Sequence, residues 1–322
     1  MPKAIIIGCN GQDGALLCTL LHQKGYTVYG IDHALSDRTE SFVRFSVVDA
    51  CDPRRLPELV AEVSPDEVYY LAAYHHSADQ PKPPKETVDL TLEVNALGLN
   101  NVLAAIAGLP ASKPRAFYAA SSRIFGEPPG DVQDENTPLA PLCPYGISKA
   151  AGVHLCRYYR REHQVYASTG ILYNHESPLR SPHFVTRKIV RAAVRISSGL
   201  ERELVLGDLD ARVDWGWAPD YVEAMHAILR LAFPDDFVLA TGILHSVREF
   251  VEIAFSAVGL DWREHVVERR DVLDGRRSVK PLCGNSEKLQ TATGWRPRVS
   301  FEQMVRSMIA AEEGESWLAF GA

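Results

Sequence analysis

Residues 3–14 read KAIIIGCNGQDG: an apolar run from Ala4 to Ile7 enters a glycine-spaced turn, and a helix-compatible stretch, Ala15 to Lys24, follows. A buried strand that runs through glycines into a helix is the setting in which a backbone cradles a dinucleotide. Gly8 and Gly11 let the chain turn sharply and approach a pyrophosphate, and Gly14 lets the helix lie close on its strand. The helix N-terminus then faces the anion. Gln12 and Asp13, between the second and third glycines, join them as candidate cofactor contacts. The spacing is GxxGxxG, and its alternative is an ordinary glycine-rich turn between a strand and a helix.

Working outward, short apolar strand patterns at Ala4–Gly8, Thr27–Asp32, Arg44–Asp49, Glu67–Ala72 and Arg115–Ala120 alternate with helical ones. Alternation of this kind predicts an α/β fold, a Rossmann-type doubly wound parallel sheet covered on both faces. Such a sheet binds ligands at the carboxyl ends of its strands. Asp32 closes the second strand, where a carboxylate accepts hydrogen bonds from the adenosine ribose and repels a 2'-phosphate. It therefore favours NAD over NADP, with loop capping as its alternative role. Asp49, at the end of the third strand, and Ala72, at the end of the fourth, are further candidate cofactor contacts. Asn95 is expected to open or brace a helix.

Tyr145 and Lys149 stand four apart, so a helix places them on one face. An ammonium beside a phenol stabilises the phenolate and makes tyrosine a usable base near neutral pH. Ser121, in the string AASS that closes the fifth strand, offers a hydroxyl to hold a substrate alcohol.

At 322 residues the chain is long enough for a large domain with a smaller one beside it. A formal net charge of −7 argues against nucleic acid or a membrane surface as partner. The N-terminus lacks a basic stretch followed by an apolar core and cleavage site, and no uninterrupted apolar run reaches bilayer length, so a cytoplasmic protein is expected. Six cysteines, at 9, 18, 51, 143, 156 and 283, show no metal-binding spacing; they read as reduced thiols, with no metal site expected.

Longer strings carry a resemblance. GQDGALL (11–17), LAAYHH (71–76), ILYNHESPLRSPHFVTRKI (171–189), LGDLDARVDWGWAPDYV (206–222), DFVLATGILHSVREFVEIA (236–254) and TGWRP (293–297) are similar to the GDP-mannose 4,6-dehydratases of the extended short-chain dehydrogenase/reductase family. The resemblance implies a cofactor domain at about 1–172 with a return segment at about 213–242. A smaller C-terminal lobe, about 173–212 and 243–322, would then hold a nucleotide sugar, with GDP as the nucleotide. It implies Tyr145 as base, Lys149 as its activator and Ser121 as the hydroxyl, and a homodimer built through the helix bearing Tyr145. It also points to Asn174, Val185, Lys188, Arg212, Arg248 and Arg277 as nucleotide contacts, with Arg276 competing for the last place.

In that family tyrosine takes the proton of the hexose 4-hydroxyl while C4 yields hydride. A glutamate then removes the C5 proton and helps expel the 6-hydroxyl, and the hydride returns to C6. Here Arg123 stands in the glutamate's place, and a permanent cation with five donors and no acceptor cannot remove a proton. It can stabilise an enolate or hold an anion bidentately. Substitute bases are His75, His76 and Glu127. The family's arginine-rich segment after the second strand is replaced by the shorter DHALSDRTE, which again suggests NAD. Three readings remain open: a dehydratase with another base; a 4-ketosugar reductase, 4-dehydrogenase or 4-epimerase without elimination; and a noncatalytic dinucleotide-binding sensor.

Overall fold

The computed structural model describes residues 1–36, 39–75, 83–110, 113–269, 280–315 and 317. β1 (Lys3–Ile7) runs into α1 (Gln12–Gln23); β2 (Thr27–Asp32), β3 (Arg44–Val47), α2 (Arg55–Val63) and β4 (Glu67–Tyr70) follow. Next come α3 (Pro84–Leu92), a π turn at Glu93–Leu97, α4 (Gly98–Gly108), β5 (Arg115–Ser121), β6 (Val132–Gln133), α5 (Pro144–His163) and β7 (Ala167–Leu172). The second half contains β8 (Asn174–Glu176), α6 (Val185–Ser197), β9 (Leu204–Leu206), β10 (Arg212–Trp217), α7 (Ala218–Ile228) and β11 (Asp236–Leu239). It ends with β12 (Leu244–Ser246), α8 (Val247–Ala257), β13 (Val266–Glu268), β14 (Cys283–Gly284), α9 (Glu287–Thr293) and α10 (Phe301–Glu312).

Seven strands form one parallel sheet in the order β11, β7, β5, β4, β1, β2, β3. The chain begins in the middle, builds one edge through β3, and then crosses β1 to add β4 and its successors. That reversal between β1 and β4 opens a crevice at the carboxyl ends of the strands, where such sheets take ligands. Every residue of β4 and β7 is buried, as expected for parallel strands covered on both faces. One apolar cluster joins the sheet to α2, α4 and α5, and a second joins it to α1 and α7. A third lies apart among α6, α8, α10 and β10, and β10 pairs with β8 and β12 in a three-stranded sheet. Within 213–242, α7 and β11 thus lie with the large sheet while β10 lies with the small one.

The helical segment Pro84–Gly108 is long and apolar enough to cross a membrane by length and composition. It is not an uninterrupted apolar run, because Lys85, Glu86, Asp89 and Glu93 break it. Leu99, Val102, Leu103 and Ile106 of α4 are buried in the first cluster, so this segment is apolar on the face that covers the sheet. Asn95 braces it as expected: its amide accepts from the Tyr74 backbone N–H (2.8 Å) and donates to Ser148 Oγ (2.9 Å).

The glycine turn shows why those residues stand there. Gly8 has φ +88°, and a Cβ on it would lie 2.6 Å from the Ala72 backbone nitrogen; a Cβ on Gly14 would lie 2.2 Å from the Gly8 carbonyl oxygen. Gly8→Ala combines a left-handed backbone with a clash against another strand's backbone, so it is expected to cost about 1–3 kcal/mol. A urea midpoint equal to that of the parent would refute this account.

Candidate active site

Two adjoining cavities occupy the crevice and share Gly8, Gly11, Leu71 and Ala73. One, of about 550 Å³, has Asp32, Asp49 and Ala72 in its wall; the other, of about 460 Å³, has Gln12, Asp13, Gly14, Ser121, Arg123, Tyr145, Lys149 and Asn174. The helix α1 starts between them with Gly11 as its N-cap and no side-chain cap, which leaves its first N–H groups available to an anion. A Cβ on Gly11 would meet nothing closer than 3.4 Å, so its open face borders both cavities. A dinucleotide fits this arrangement, its adenosine toward Asp32 and its nicotinamide toward Tyr145.

Asp32 caps its loop, the alternative role considered for it, while standing in the cavity wall. Its carboxylate accepts from the Asn10 and His33 backbone N–H groups (3.0 and 2.8 Å), which orients it at the cavity wall. Asp49 likewise accepts from the Cys51 N–H at 2.9 Å.

The reacting corner is built by β5, its following turn and α5. Pro144 opens α5 behind the Cys143 cap, putting Tyr145 in the first turn and Lys149 one turn on. Lys149 is 1% exposed; its Nζ donates to the Ala119 carbonyl (2.7 Å) and lies 5.7 Å from the centre of the Tyr145 ring. Burial pulls its ammonium down to about 7, against the opposing field of Asp13. Burial dominates at the Tyr145 hydroxyl and leaves it at about 12 even though the charge of Arg180 and a hydrogen bond with Ser121 pull it down. Ser121 Oγ accepts from the Arg123 backbone N–H at 3.3 Å, which seats Arg123 in the short helical turn after β5.

His75 lies edge-on to Tyr145 with ring centres 4.8 Å apart, and its ring centre is 5.6 Å from that of Phe184. Arg180 stacks over Phe184 at 3.6 Å, and both line the Tyr145 cavity. Sequence reasoning left Arg180 and His175 out of the site. Asp13, a candidate cofactor contact in the sequence, is paired: His175 Nε2 lies 2.9 and 3.0 Å from its carboxylate oxygens. The DG of the glycine turn and the NHE string are 162 residues apart, so no local pattern announced that pair.

The nucleotide candidates are more dispersed. Asn174 lines the Tyr145 cavity, whereas Val185, Lys188, Arg212 and Arg248 are absent from both walls. Val185 follows Phe184 at the start of α6, with Lys188 in the same first turn. Arg212 donates to the Leu244 carbonyl (3.2 Å), and Arg248 is held by Asp210 at 2.9 Å with Glu268 beside it. Glu127 is exposed and also absent from the walls. His76, Arg276 and Arg277 lie outside the described residues. All six cysteines are free thiols, four of them buried.

The sequence model of the family described as GDP-mannose 4,6 dehydratase matches residues 5–308. GDP-mannose 4,6 dehydratase 1 of Arabidopsis thaliana is 38% identical, over 95% of this chain and 88% of that protein. The GDP-mannose 4,6-dehydratase of Vibrio cholerae serotype O1 is 36% identical over 96% of this chain and 93% of its own length. Among solved structures, UDP-glucose 4-epimerase of Thermus thermophilus, in complex with NAD, superposes with a TM-score of 0.80 at 25% identity, covering 97% of this chain and 99% of that one. A structure from Burkholderia cenocepacia described as an epimerase reaches 0.84 at 23% identity, covering 97% and 98%, a likeness of fold.

Proposed function

The chain belongs to the GDP-mannose 4,6-dehydratase family, and from that premise we propose that it is an NAD-dependent enzyme acting on a GDP-linked hexose through hydride transfer at C4. The observation that carries this reading is that Ser121, Tyr145 and Lys149 share one cavity with the Gly8–Gly14 turn. Bound NAD supplies the hydride acceptor. Ser121 orients the 4-hydroxyl, Tyr145 receives its proton, and the Lys149 ammonium favours the phenolate. The NAD complex of the Thermus relative and the carboxylate of Asp32 support NAD over NADP.

The nucleotide side is assigned to the lobe formed by about 173–212 and 243–322, with Asn174 at its border with the cofactor. A homodimer covering the α5 face agrees with the exposure of Ile147 and Tyr158 there.

Arg123 favours a second reading in which chemistry stops at the redox step, as in a 4-ketosugar reductase, 4-dehydrogenase or 4-epimerase. It lines the cavity and has no acceptor atom with which to take the C5 proton. Incubation of the purified protein with GDP-mannose and NAD separates the two. Loss of one water with a new 6-methyl proton signal supports the dehydratase; a 4-keto or 4-epimeric product with oxygen retained at C6, or reduction of a GDP-4-ketosugar with NADH, supports the redox reading. No hydride transfer with GDP-mannose or with GDP-4-ketosugars would overturn both.

A further inference from the structure

The cofactor side and the sugar side of the cavity are joined by a set of side chains that the steps above do not use. Gln12 and Asp13 open α1; His175 and Ser177 belong to β8 and the loop after it. Gln12 Nε2 donates to the His175 carbonyl (3.1 Å), Ser177 Oγ donates to Gln12 Oε1 (2.8 Å), and His175 Nε2 meets the Asp13 carboxylate. On its other ring nitrogen His175 lies 2.7 Å from the Tyr173 carbonyl, and its ring stacks on Tyr221 of α7 at 4.6 Å. The His175 side chain is 8% exposed and that of Asp13 is 19% exposed.

The cavity wall beside this pair carries more positive than negative side chains, although one of the cations, Arg180, is paired from behind with buried Glu176 at 3.4 Å. Arg123, Lys149, Arg180 and His175 all line the Tyr145 cavity, and Asp13 is the one carboxylate among its described lining residues. Although burial opposes ionisation of both partners, the Asp13 carboxyl is held below its usual range by His175, and His175 is held above 6.5 by Asp13. Both directions favour the ionised pair over the neutral one, and both ring nitrogens of His175 face acceptors, the Tyr173 carbonyl and the Asp13 carboxylate.

We propose that Asp13 and His175 form a charged bridge that fixes the glycine-turn helix to the sugar-side strand and serves as counter-charge to Lys149, making both of them positioning residues for Tyr145. The inference rests on the reading of Tyr145 as the base. The groups that face the bridge are Gln12 from α1, Ser177 and Arg180 from the β8 loop, Tyr221 from α7, and Tyr145 and Lys149 from α5. A negative Asp13 raises the proton affinity of both Tyr145 and Lys149. Neutralising it therefore lowers both, and the phenolate forms at lower pH.

The test is the near-ultraviolet phenolate absorbance of the NAD-bound protein against pH, taken as the difference from the same protein carrying Tyr145→Phe. Asp13→Asn keeps an acceptor for His175 and removes the charge; its midpoint is expected about one pH unit below the parent, roughly tenfold in proton affinity. Asp13→Glu should leave the midpoint near the parent's. An unchanged midpoint in Asp13→Asn, with only weaker NAD binding or lower stability, overturns the counter-charge role and leaves Tyr145 as base intact. Absence of any Tyr145-dependent transition in the parent overturns the base assignment, and the inference with it. Should Asp13→Asn fail to fold, proton NMR of the parent decides. The ring signal lost in His175→Gln should titrate above 6.5, and titration at or below that value overturns the bridge.

Discussion

Tyr145→Phe is expected to lower hydride transfer from C4 by about 10²- to 10⁴-fold, the usual worth of a positioned acid or base, and to leave NAD affinity nearly unchanged. The ring would keep its edge contact with His75 and its place above Lys149, so the substitution removes the proton acceptor and little else. Single-turnover appearance of reduced cofactor measures the first quantity and calorimetric titration with NAD the second. Turnover at the parental rate would sink the proposed mechanism.

The size of that expectation comes from the electrostatics of α5. A phenol raised to about 12 by burial is a poor base at neutral pH, and each unit of that rise corresponds to about 1.4 kcal/mol. That value already contains the pull of Arg180 and Ser121, so the remainder falls to Lys149 and to bound cofactor. Lys149 sits within reach of the ring but is itself drawn down to about 7, so its charge is sensitive to every neighbour. Arg180 contributes a second positive charge from the loop after β8. The proton chemistry of the site consequently depends on residues from α1, α5 and the β8 loop together.

What could be read from the sequence was what is local. The five strand patterns of the first half all became neighbours in the parallel sheet, and Gly8, Ser121, Tyr145 and Lys149 met in one cavity, because strand periodicity, glycine spacing and an i, i+4 pair are written in short windows. The Asp13–His175 pair was hidden because α1 and β8, far apart in the chain, bring it together only in the folded molecule. Arg180 was hidden for a related reason: it reaches the cavity by lying on Phe184, a contact that depends on how the loop after β8 folds back toward His75. Arg248 shows the same dependence on distant partners. Expected at a diphosphate, it is paired in this structure with Asp210, two residues before Arg212, and lies beside Glu268 of β13.

Arg123→Glu carries the other large expectation: water elimination from GDP-mannose should rise by about 10²- to 10⁴-fold if a missing base is the only obstacle. The residue follows Ser121 by two positions, and its backbone N–H is bound to the Ser121 hydroxyl, so a shorter acidic side chain starts from a fixed point on the cavity wall. The substitution also reverses a charge in a cavity whose described lining has one carboxylate. Lys149 would hold its proton more tightly and Tyr145 would give its proton up less readily, so the gain should be largest on the alkaline side of the parental optimum. Mass spectrometry for the loss of water, with deuterium uptake at C5 from heavy water, reads both steps. Uptake at C5 without loss of water would show that the new carboxylate reaches the proton while expulsion of the 6-hydroxyl lacks an acid. A parent protein that already exchanges C5 at the variant's rate would instead place the base elsewhere, with His75, 4.8 Å from Tyr145, as the described residue to replace next.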